Sequence, residues 1–494
     1  MAAGRWIVSP ILLPLIVPAV GAVAIGLLGR WPNLRETALL VTAAVLFWMV
    51  VGFYPEVIAG GRPGVTLLEV APGLTLRLEI EPLGLLFALV ASSLWILTSL
   101  YAIGYMRGHH EEHQTRFYIF FALAISSAMG VAFAGNLFTL FLFYEVLTFS
   151  TFPLVTHHGS EEARRAGRVY LGILLSTSVG LQLLAIAWTW VAAGTLDFRE
   201  GGILAGHVSS AVVPVLLGLY VFGVGKAAVM PFHRWLPAAM VAPTPVSALL
   251  HAVAVVKAGV FSILKISVYV FGIDFLHAQG ASVWLMWVAA ATILLGSLVA
   301  FTKNNLKARL AYSTISQLSY IVLGAMLATR WGIVGGGLHI VMHAFGKITL
   351  FFCAGAIMVA AHKTEISEMD GLGRTMPVTF AAFLIGSLSI IGLPPAGGSW
   401  SKWFLALGAL DAGQVGLVAV LMLSSLLSMA YLLIIPIRAF FLPPPPDDHH
   451  HGHEGIHEAP WPSLIALTAT ALLTIGLFFY PDPFYDLMLQ VVGP

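Results

Sequence analysis

Cysteine and charged residues are scarce in this chain, and each shortage excludes a class of protein. Only one of its 494 residues is a cysteine, Cys353, so an internal disulfide, a thiolate metal site and a cysteine-pair redox centre are excluded. Only 10% of the residues are charged, against about 25% in soluble domains. A formal net charge of +1 gives no overall attraction to nucleic acid.

Cofactor-binding patterns are also missing. The sequence has no nucleotide-binding loop, no haem-ligand pattern and no iron–sulfur cysteine set. We therefore expect neither a cofactor nor redox chemistry of the chain's own, and whether it works inside an enzyme complex stays open.

Apolar residues dominate and are grouped into long runs. Hydrophobic residues make up 59% of the chain, and the mean hydropathy is +0.92. Runs near the ~20 residues that cross a bilayer predict an all-α membrane protein with about fourteen transmembrane helices. The fourteen expected spans are 7–29, 37–55, 82–105, 117–134, 136–157, 168–193, 211–232, 243–271, 283–301, 309–329, 332–360, 377–411, 414–441 and 461–480.

The basic residues predict how these spans are oriented. Fourteen Lys and Arg residues fall in loops on the face opposite the termini, and five fall on the face that carries the termini. Cytoplasmic loops carry the excess of basic residues. We therefore expect a multi-pass protein of the bacterial cytoplasmic (inner) membrane with extracytoplasmic termini.

Five lysines fall inside the spans, and two of the spans that hold them are interrupted. Placing these lysines in lipid would cost about 15 kcal/mol in total, which favours a functional reason for keeping them. Pro and Gly break the seventh span near Lys226 and the twelfth before Lys402, as in transporters built from inverted repeats. The five lysines are Lys226, Lys257, Lys265, Lys347 and Lys402.

These features predict five regions along the chain. Two five-span repeats of opposite orientation, spans 4–8 and 9–13, are expected to have broken seventh and twelfth helices. A hairpin is expected at 62–82, where apolar and polar residues alternate after a Pro-Gly turn. The regions are 1–116 (three spans and the hairpin), 117–271 (first repeat), 283–441 (second repeat), 442–460 (a His/Pro-rich cytoplasmic loop) and 461–494 (last span and C-terminus).

Glu145 is the acidic residue expected deepest inside a span, and Lys226 is its expected partner. An opposite charge offsets the cost of burying each group. Movement of the carboxylate would then load or release a proton on Lys226. The alternative is a static ion pair that locks two helices. Lys265 is expected to extend its amine to the outer interface.

Histidines accompany the other deep lysines. His339, His343 and Lys347 are four residues apart and share one helical face, which favours a proton relay. Packing histidines or a metal half-site are the alternatives. His251 and Lys257 lie six residues apart, so their contact would need a helical bulge or a water.

Two further polar stretches are less decisive. The tenth span carries a stripe that is equally consistent with a proton wire and with packing: Ser313, Ser316, Gln317, Ser319 and Tyr320. Five histidines follow the prolines after Pro443: His449, His450, His451, His453 and His457. This tract resembles a metal-binding segment, but its composition favours a solvated loop, and we expect no metal site.

Five motifs resemble one known family: GKAAVMPFHRWLP, APTPVSALLHAVAVVK, NNLKARLAYSTISQLSY, HAFGKITLFFCAG and GLPPAGGSWSKW. They are similar to the antiporter-like subunits shared by respiratory complex I, membrane-bound hydrogenases and Mrp-type cation/proton antiporters. The start, IVSPILLPLIVP, is most similar to the Mrp D subunit. The resemblance implies fourteen helices, two inverted repeats and proton translocation through Glu145, Lys226, His251, Lys257, His343, Lys347 and Lys402.

The expected function is therefore proton translocation within a multisubunit membrane complex, beside other membrane subunits. Exchange of Na⁺ or K⁺ for protons is the leading coupled reaction. A complex I-like or hydrogenase membrane arm is the second, and proton flux for an inorganic-carbon uptake system is the third. The rival from another class is a structural scaffold that has lost transport.

Overall fold

A computed structural model describes residues 9–444 and 455–493 as a bundle of helices with one small hairpin. In chain order the helices and strands are α1 (Leu13–Leu27), α2 (Pro32–Gly52), α3 (Tyr54–Ile58), β1 (Gly64–Ala71), β2 (Leu74–Glu79), α4 (Pro82–Gly108), α5 (Gln114–Ala132), α6 (Leu137–Val155), α7 (Glu161–Thr177), α8 (Leu183–Ala193), α9 (Val213–Gly223), α10 (Trp235–Ala238), α11 (Thr244–Ala248), α12 (Val255–Ile266), α13 (Ile273–Gln279), α14 (Val283–Thr302), α15 (Leu306–Leu327), α16 (Arg330–Ala361), α17 (Pro377–Ile391), α18 (Gly398–Asp411), α19 (Val415–Phe441), α20 (Trp461–Phe479) and α21 (Asp482–Val492).

Shorter helical turns join several of these helices. The π-helical turns are Ser178–Gln182, Leu249–Val253 and Ser267–Phe271, and they keep α7 continuous with α8 and α11 continuous with α12. The 3₁₀ turns are Pro10–Leu12, Gly225–Ala227, Ala239–Val241, Ile366–Glu368 and Leu372–Arg374.

Twelve of the resulting helices in the described part of the chain are long and apolar enough to cross a membrane. The prediction of an all-α membrane protein is confirmed. Two shorter apolar helices, α9 and α17, stand where the seventh and twelfth spans were expected. The total of fourteen crossings stays a prediction, because neither helix alone reaches the length of a full span.

Several helices begin at polar side chains that cap their free N–H groups. Asn136 accepts from the Thr139 N–H, and Asn305 accepts from the Ala308 N–H. Ser160 and Thr329 cap α7 and α16 in the same way. Such caps fix where a helix starts, and they stabilise it by about 1 kcal/mol each.

The alternating segment 62–82 forms an antiparallel hairpin, with Gly64 paired to Glu79 and Ala71 paired to Leu74. Its second strand continues the pairing to the α5–α6 loop through Leu78 and Ala134. We call this end of the bundle the hairpin face. The other end, the opposite face, includes the loops 109–113, 303–305 and 362–376, of which the last two pair through Asn305 and Glu365.

Burial separates an inner group of helices from an apolar rim. The helix that runs from Thr244 to Phe271 is buried over its whole length, and α15 is nearly so. On the rim, Trp48 is 81% exposed and Val191 is 82% exposed. Apolar side chains presented outward in this way suit contact with lipid or with neighbouring subunits.

The seventh and twelfth spans are interrupted in the structure. α9 ends at Gly223, a 3₁₀ turn holds Lys226, and the chain becomes helical again only at Trp235. α17 ends at Ile391, the next residue, Gly392, has φ +91, and α18 begins at Gly398. Each break lies beside a lysine. Gly259 of α12 packs against the main chain of Lys226, and the aliphatic part of the Lys402 side chain lies over Gly392.

Candidate proton-carrying site

Lys226 lies in the interruption after α9 and is fully buried. Its amine donates to the Tyr144 carbonyl at 2.8 Å and to the Thr148 hydroxyl at 2.5 Å. The amine also lies 3.3 Å from the centre of the Tyr144 ring, a cation–π contact. The partners of this lysine are therefore uncharged groups on α6.

The expected ion pair between Lys226 and Glu145 does not form. Both carboxylate oxygens of Glu145 are buried without a hydrogen-bond partner, although the residue as a whole is half-buried. The carboxylate still attracts the ammonium electrostatically. The prediction of a direct contact between Lys226 and Glu145 was wrong, because the Lys226 amine bonds to Tyr144 and Thr148 on the inner side of α6 instead.

Lys257 and His343 meet in the centre of the bundle. Nζ of Lys257 lies 2.6 Å from Nδ1 of His343, and both residues are buried. Sequence spacing placed His343 with Lys347, whereas the structure places it against the eighth span. This contact links α12 to α16 directly.

His251 lies in the π-helical turn Leu249–Val253, the bulge that a contact with Lys257 was expected to need. The bulge is present, but the contact is not. Neither ring nitrogen of His251 has a hydrogen-bond partner, and the ring packs on Phe351 at 4.7 Å between centroids. His251 lies within electrostatic range of Lys347.

His339 is held by hydrogen bonds on both ring nitrogens. Nδ1 lies 2.8 Å from the Ser401 hydroxyl, and Nε2 lies 3.1 Å from Oε1 of Gln317. The ring stacks on Tyr320 at 5.3 Å and lies 5.9 Å from the His343 ring, centre to centre. His339 thus lies between the central histidine and the twelfth span.

Lys347 is bonded to a chain of hydroxyl groups. Its amine donates to Ser313 at 2.7 Å, and the Tyr431 hydroxyl donates to the same Ser313 oxygen at 3.0 Å. Tyr431 in turn lies 3.0 Å from the Ser428 hydroxyl. All four groups are buried.

A serine cluster extends this chain of hydroxyls. Ser297 lies 2.9 Å from Ser316 and 3.0 Å from Ser424, and the Tyr431 hydroxyl lies beside Ser297. The Tyr320 hydroxyl lies beside Ser424 and Ser425. Because a hydroxyl both donates and accepts, such a chain can pass a proton along its length.

Lys402 stands at the far end of that chain. Its amine donates to the Ser425 hydroxyl and to the Ile391 carbonyl, both at 3.0 Å, and lies 4.7 Å from the centre of the Tyr320 ring. Unlike the other three site lysines, Lys402 is only half-buried. It lies where the row of polar groups approaches the rim of the bundle.

Lys265 differs from the other lysines because it is ion-paired. Its amine lies 3.0 Å from Oε1 of Glu81 and donates to the Ala134 carbonyl at 2.8 Å. Oε2 of Glu81 accepts from the Tyr269 hydroxyl at 2.9 Å. The expectation that Lys265 extends to the interface was wrong, because Glu81, the N-cap of α4, holds it in the interior.

The structure shows functional candidates that sequence reasoning missed. Tyr144 and Thr148 hold Lys226, and the α19 hydroxyls connect Lys347 with Lys402. The missed signal was the helical spacing of Ser424, Ser428 and Tyr431, which places them on one face of an apolar span. Of the His-rich tract, His449, His450, His451 and His453 lie outside the described residues, and the His457 N–H donates to the Thr375 carbonyl at 2.8 Å.

Comparison with known proteins places this chain in one family. The family described as NADH:quinone oxidoreductase/Mrp antiporter, TM, matches residues 134–428. NADH-quinone oxidoreductase subunit N of Desulforudis audaxviator is 34% identical over 428 residues, which cover 85% of this chain and 84% of that protein. A Na(+)/H(+) antiporter subunit of Alkalihalophilus pseudofirmus is 30% identical over 511 residues, which cover 96% of this chain and 60% of that protein.

The fold is similar as well. A chain in the structure of the Mrp complex from Dietzia sp. DQ12-45-1b superposes with a TM-score of 0.84 at 23% identity. The superposition covers 99% of this chain and 98% of that one, so the likeness extends over the whole bundle.

Proposed function

This chain belongs to the NADH:quinone oxidoreductase/Mrp antiporter family of transmembrane subunits, and we propose that it conducts protons along its row of buried lysines and histidines. The proposed carriers are Glu145, Lys226, His251, Lys257, His339, His343, Lys347 and Lys402. It is an antiporter-like subunit, and its relatives are subunits of multisubunit membrane complexes.

The observation that carries the proposal is the nature of the lysine partners. In the described part of the chain, the amines of Lys226, Lys257 and Lys347 bond to carbonyl, hydroxyl or imidazole groups, and no carboxylate lies within 4.0 Å of them. Such a lysine can lose its proton without breaking an ion pair. Lys265 would have to break its ion pair with Glu81 to lose its proton, so we leave it out of the pathway.

The proposed route runs from the first repeat to the second. A proton on Lys226 moves towards Lys257 and His343, then to Lys347, and from there to Lys402. Lys347 and Lys402 are connected by the hydroxyl chain of α15 and α19. His339, which is bonded to Ser401, lies within electrostatic range of both lysines. Lys257 and Lys347 repel each other electrostatically, so a proton on one disfavours a proton on the other.

Glu145 is the proposed control element at the start of the route. Its unpaired carboxylate attracts Lys226 across a gap and lies on a face of α6 where Val146 is 50% exposed and Phe149 is 56% exposed. A neighbouring subunit packed on this face would alter the attraction. The charge on Lys226 would then respond to events in the neighbour.

The distribution of basic residues supports one orientation in the membrane. We propose that the opposite face is cytoplasmic, since its loops carry the basic residues, and that the termini and the hairpin are extracytoplasmic in a bacterial cytoplasmic membrane.

Residues 117–271 and 283–441 are the proposed inverted repeats, each with one interrupted helix and one lysine at the break.

Exchange of Na⁺ or K⁺ for protons is the proposed coupled reaction. It is supported by the similarity to the Na(+)/H(+) antiporter relative and by the Mrp fold. A proton-pumping membrane arm is the second candidate, because the chain covers 84% of the NADH-quinone oxidoreductase subunit N relative. The chain's own proton route is the same in both cases.

The test is proton flux through the whole complex, expressed with its neighbouring subunits in inverted membrane vesicles. Lys226→Ala should lower cation-driven or redox-driven proton movement on the order of tenfold. Lys303→Ala, which removes a lysine from a loop on the opposite face, is the matched control. Unchanged flux in the Lys226 variant, at equal assembly, would show that this chain carries no protons.

A further inference from the structure

The opposite face contains a cavity that the proposed lysine route does not use. Its volume is about 260 Å³, and it opens between α4, the start of α11 and the start of α15. The lining includes side chains that can bind protons as well as Thr244, the first residue of α11: His109, Glu111, His158, Lys307 and Lys363. The cavity thus combines ionisable groups with the entrance to the most buried helix.

Glu111 is the centre of the ionisable cluster. One carboxylate oxygen lies 3.0 Å from Nδ1 of His109, and the other lies 3.7 Å from Nδ1 of His158 and 4.0 Å from Nε2 of His157. The side chain of Glu111 is only 7% exposed. The Glu111 carboxylate is therefore the shared partner of three imidazoles beside the cavity.

The members of this cluster are not equivalent. Burial and the nearby Arg116 lower the pKa of His157 to about 4, so His157 is neutral at physiological pH. His109 and His158 are the imidazoles that line the cavity together with Glu111. Other charged or titratable groups also face the cluster. Lys307 and Tyr105 lie within electrostatic range of Glu111, Arg116 and His113 act on His157, and Lys363 lines the same cavity.

Polar residues follow Thr244, which lines the cavity and bonds to Tyr105, along the helix that begins there. Thr244, Ser247 and His251 follow at intervals of three and four residues, on one side of the helix that begins at the cavity. All three residues are buried. The Ser247 hydroxyl and both ring nitrogens of His251 have no hydrogen-bond partner among the described residues.

Buried polar atoms without protein partners are normally bonded to water. Here the unpaired atoms belong to Ser247 and His251, four residues apart on one helix, and His251 lies in a π-helical turn, which widens the helix locally. Lys307 and Lys347 both lie within electrostatic range of His251. His251 therefore lies between the cavity and the central lysine.

We propose that the cavity around Glu111 is a proton port, connected to Lys347 by water along Thr244, Ser247 and His251. Glu111 with His109 and His158 binds a proton from the aqueous phase, and each group further in accepts one proton and releases one. This inference rests on the proposed proton conduction and adds its point of access. The port opens on the face that we propose to be cytoplasmic.

Water access can be tested with a thiol, because the chain has only one cysteine. In a Cys353→Ser background, Ser247→Cys places a thiol on the proposed water line, and the reagent is Ag⁺, which is small enough for a narrow path. The assembled complex in inverted vesicles exposes the cytoplasmic face to the reagent. Ser262→Cys is the matched control, since Ser262 is buried on the same helix but bonded to the Ala258 carbonyl at 2.6 Å.

The expected result is rapid loss of the Ser247→Cys thiol and protection of the Ser262→Cys thiol, read out by maleimide labelling after denaturation. Equal protection of both thiols would overturn the port. Equal reactivity of both would also overturn it, because it would show general penetration of the helix rather than a defined path.

Measurements of proton flux distinguish failure of the proposed port from failure of the proposed proton conduction, on which the port rests. Glu111→Gln should lower flux on the order of tenfold and change its dependence on cytoplasmic pH, and Glu111→Asp should restore part of it. If Lys226→Ala blocks flux but Glu111→Gln leaves the rate and the pH profile unchanged, the port is wrong and the conduction stands. If neither variant changes flux, the proposed function itself fails.

Discussion

Nζ of Lys257 and Nδ1 of His343 lie 2.6 Å apart in the centre of the bundle, where neither residue has more than 1% of its surface exposed. The contact joins α12 to α16, the two helices that carry the middle of the proposed route. An amine and an imidazole at this distance can exchange a proton directly along their hydrogen bond. We expect their separation to control transfer from the first repeat to the second.

Replacing His343 tests this step. His343→Ala leaves the Lys257 amine without its partner, so we expect proton flux to fall on the order of tenfold and thermal stability to fall as well. His343→Gln keeps a hydrogen-bond acceptor and should recover the stability but not the flux. Parallel measurements of vesicle flux and of melting temperature distinguish the two effects, and full flux in the glutamine variant would contradict a relay through His343.

The hydroxyl chain predicts a role for α19. Tyr431→Phe removes the hydroxyl that joins Ser313 to Ser428 and should slow proton flux. Ser428→Ala should act in the same direction, whereas Ser428→Thr keeps the hydroxyl and should retain most of the flux. If the alanine and threonine variants are equally active, the protons pass through His339 and Ser401 instead.

The Glu81–Lys265 pair predicts an effect on stability instead of transport. Glu81→Gln leaves a buried ammonium without its carboxylate and should destabilise the folded chain by about 3–5 kcal/mol. The double variant Glu81→Gln with Lys265→Met removes both charges, keeps an acceptor for the α4 N-terminus and for Tyr269, and should recover much of that loss. Flux per assembled complex should change little in the double variant, and a large loss there would place Lys265 in the pathway.

His157 predicts a loss of stability in acid. Its pKa is lowered from 6.5 to about 4 in the folded protein, so the unfolded chain binds more protons between those values. Stability contributed by neutral His157 is therefore present above pH 6.5 and is lost as the pH falls towards 4. His157→Gln should flatten the melting temperature in this window, and an unchanged acid slope would assign the loss to other groups.

The sequence predicted the architecture because bilayer crossing depends on length and polarity alone. Apolar runs located the helices, and the Gly-Pro segments near Lys226 and Lys402 located both interruptions. The amphipathic helix α21 was missed because it is too short and too polar to be counted as a span.

The partners of the buried lysines could not be predicted from spacing. Helical periodicity places residues on a face of one helix, whereas the lysine contacts join different helices. His343 therefore looked like a partner of Lys347 and proved to contact Lys257. The Glu81 ion pair was missed for a related reason, since Glu81 stands outside the apolar run that it caps.

The most direct measurement is proton flux through the assembled complex with Lys347 replaced by Met, which keeps the length of the side chain and removes its charge. Lys347 connects the first repeat, the hydroxyl chain and the proposed port, so we expect a loss of flux on the order of a hundredfold, with assembly and melting temperature preserved. Flux equal to that of the unmodified complex would contradict proton conduction through the buried lysines.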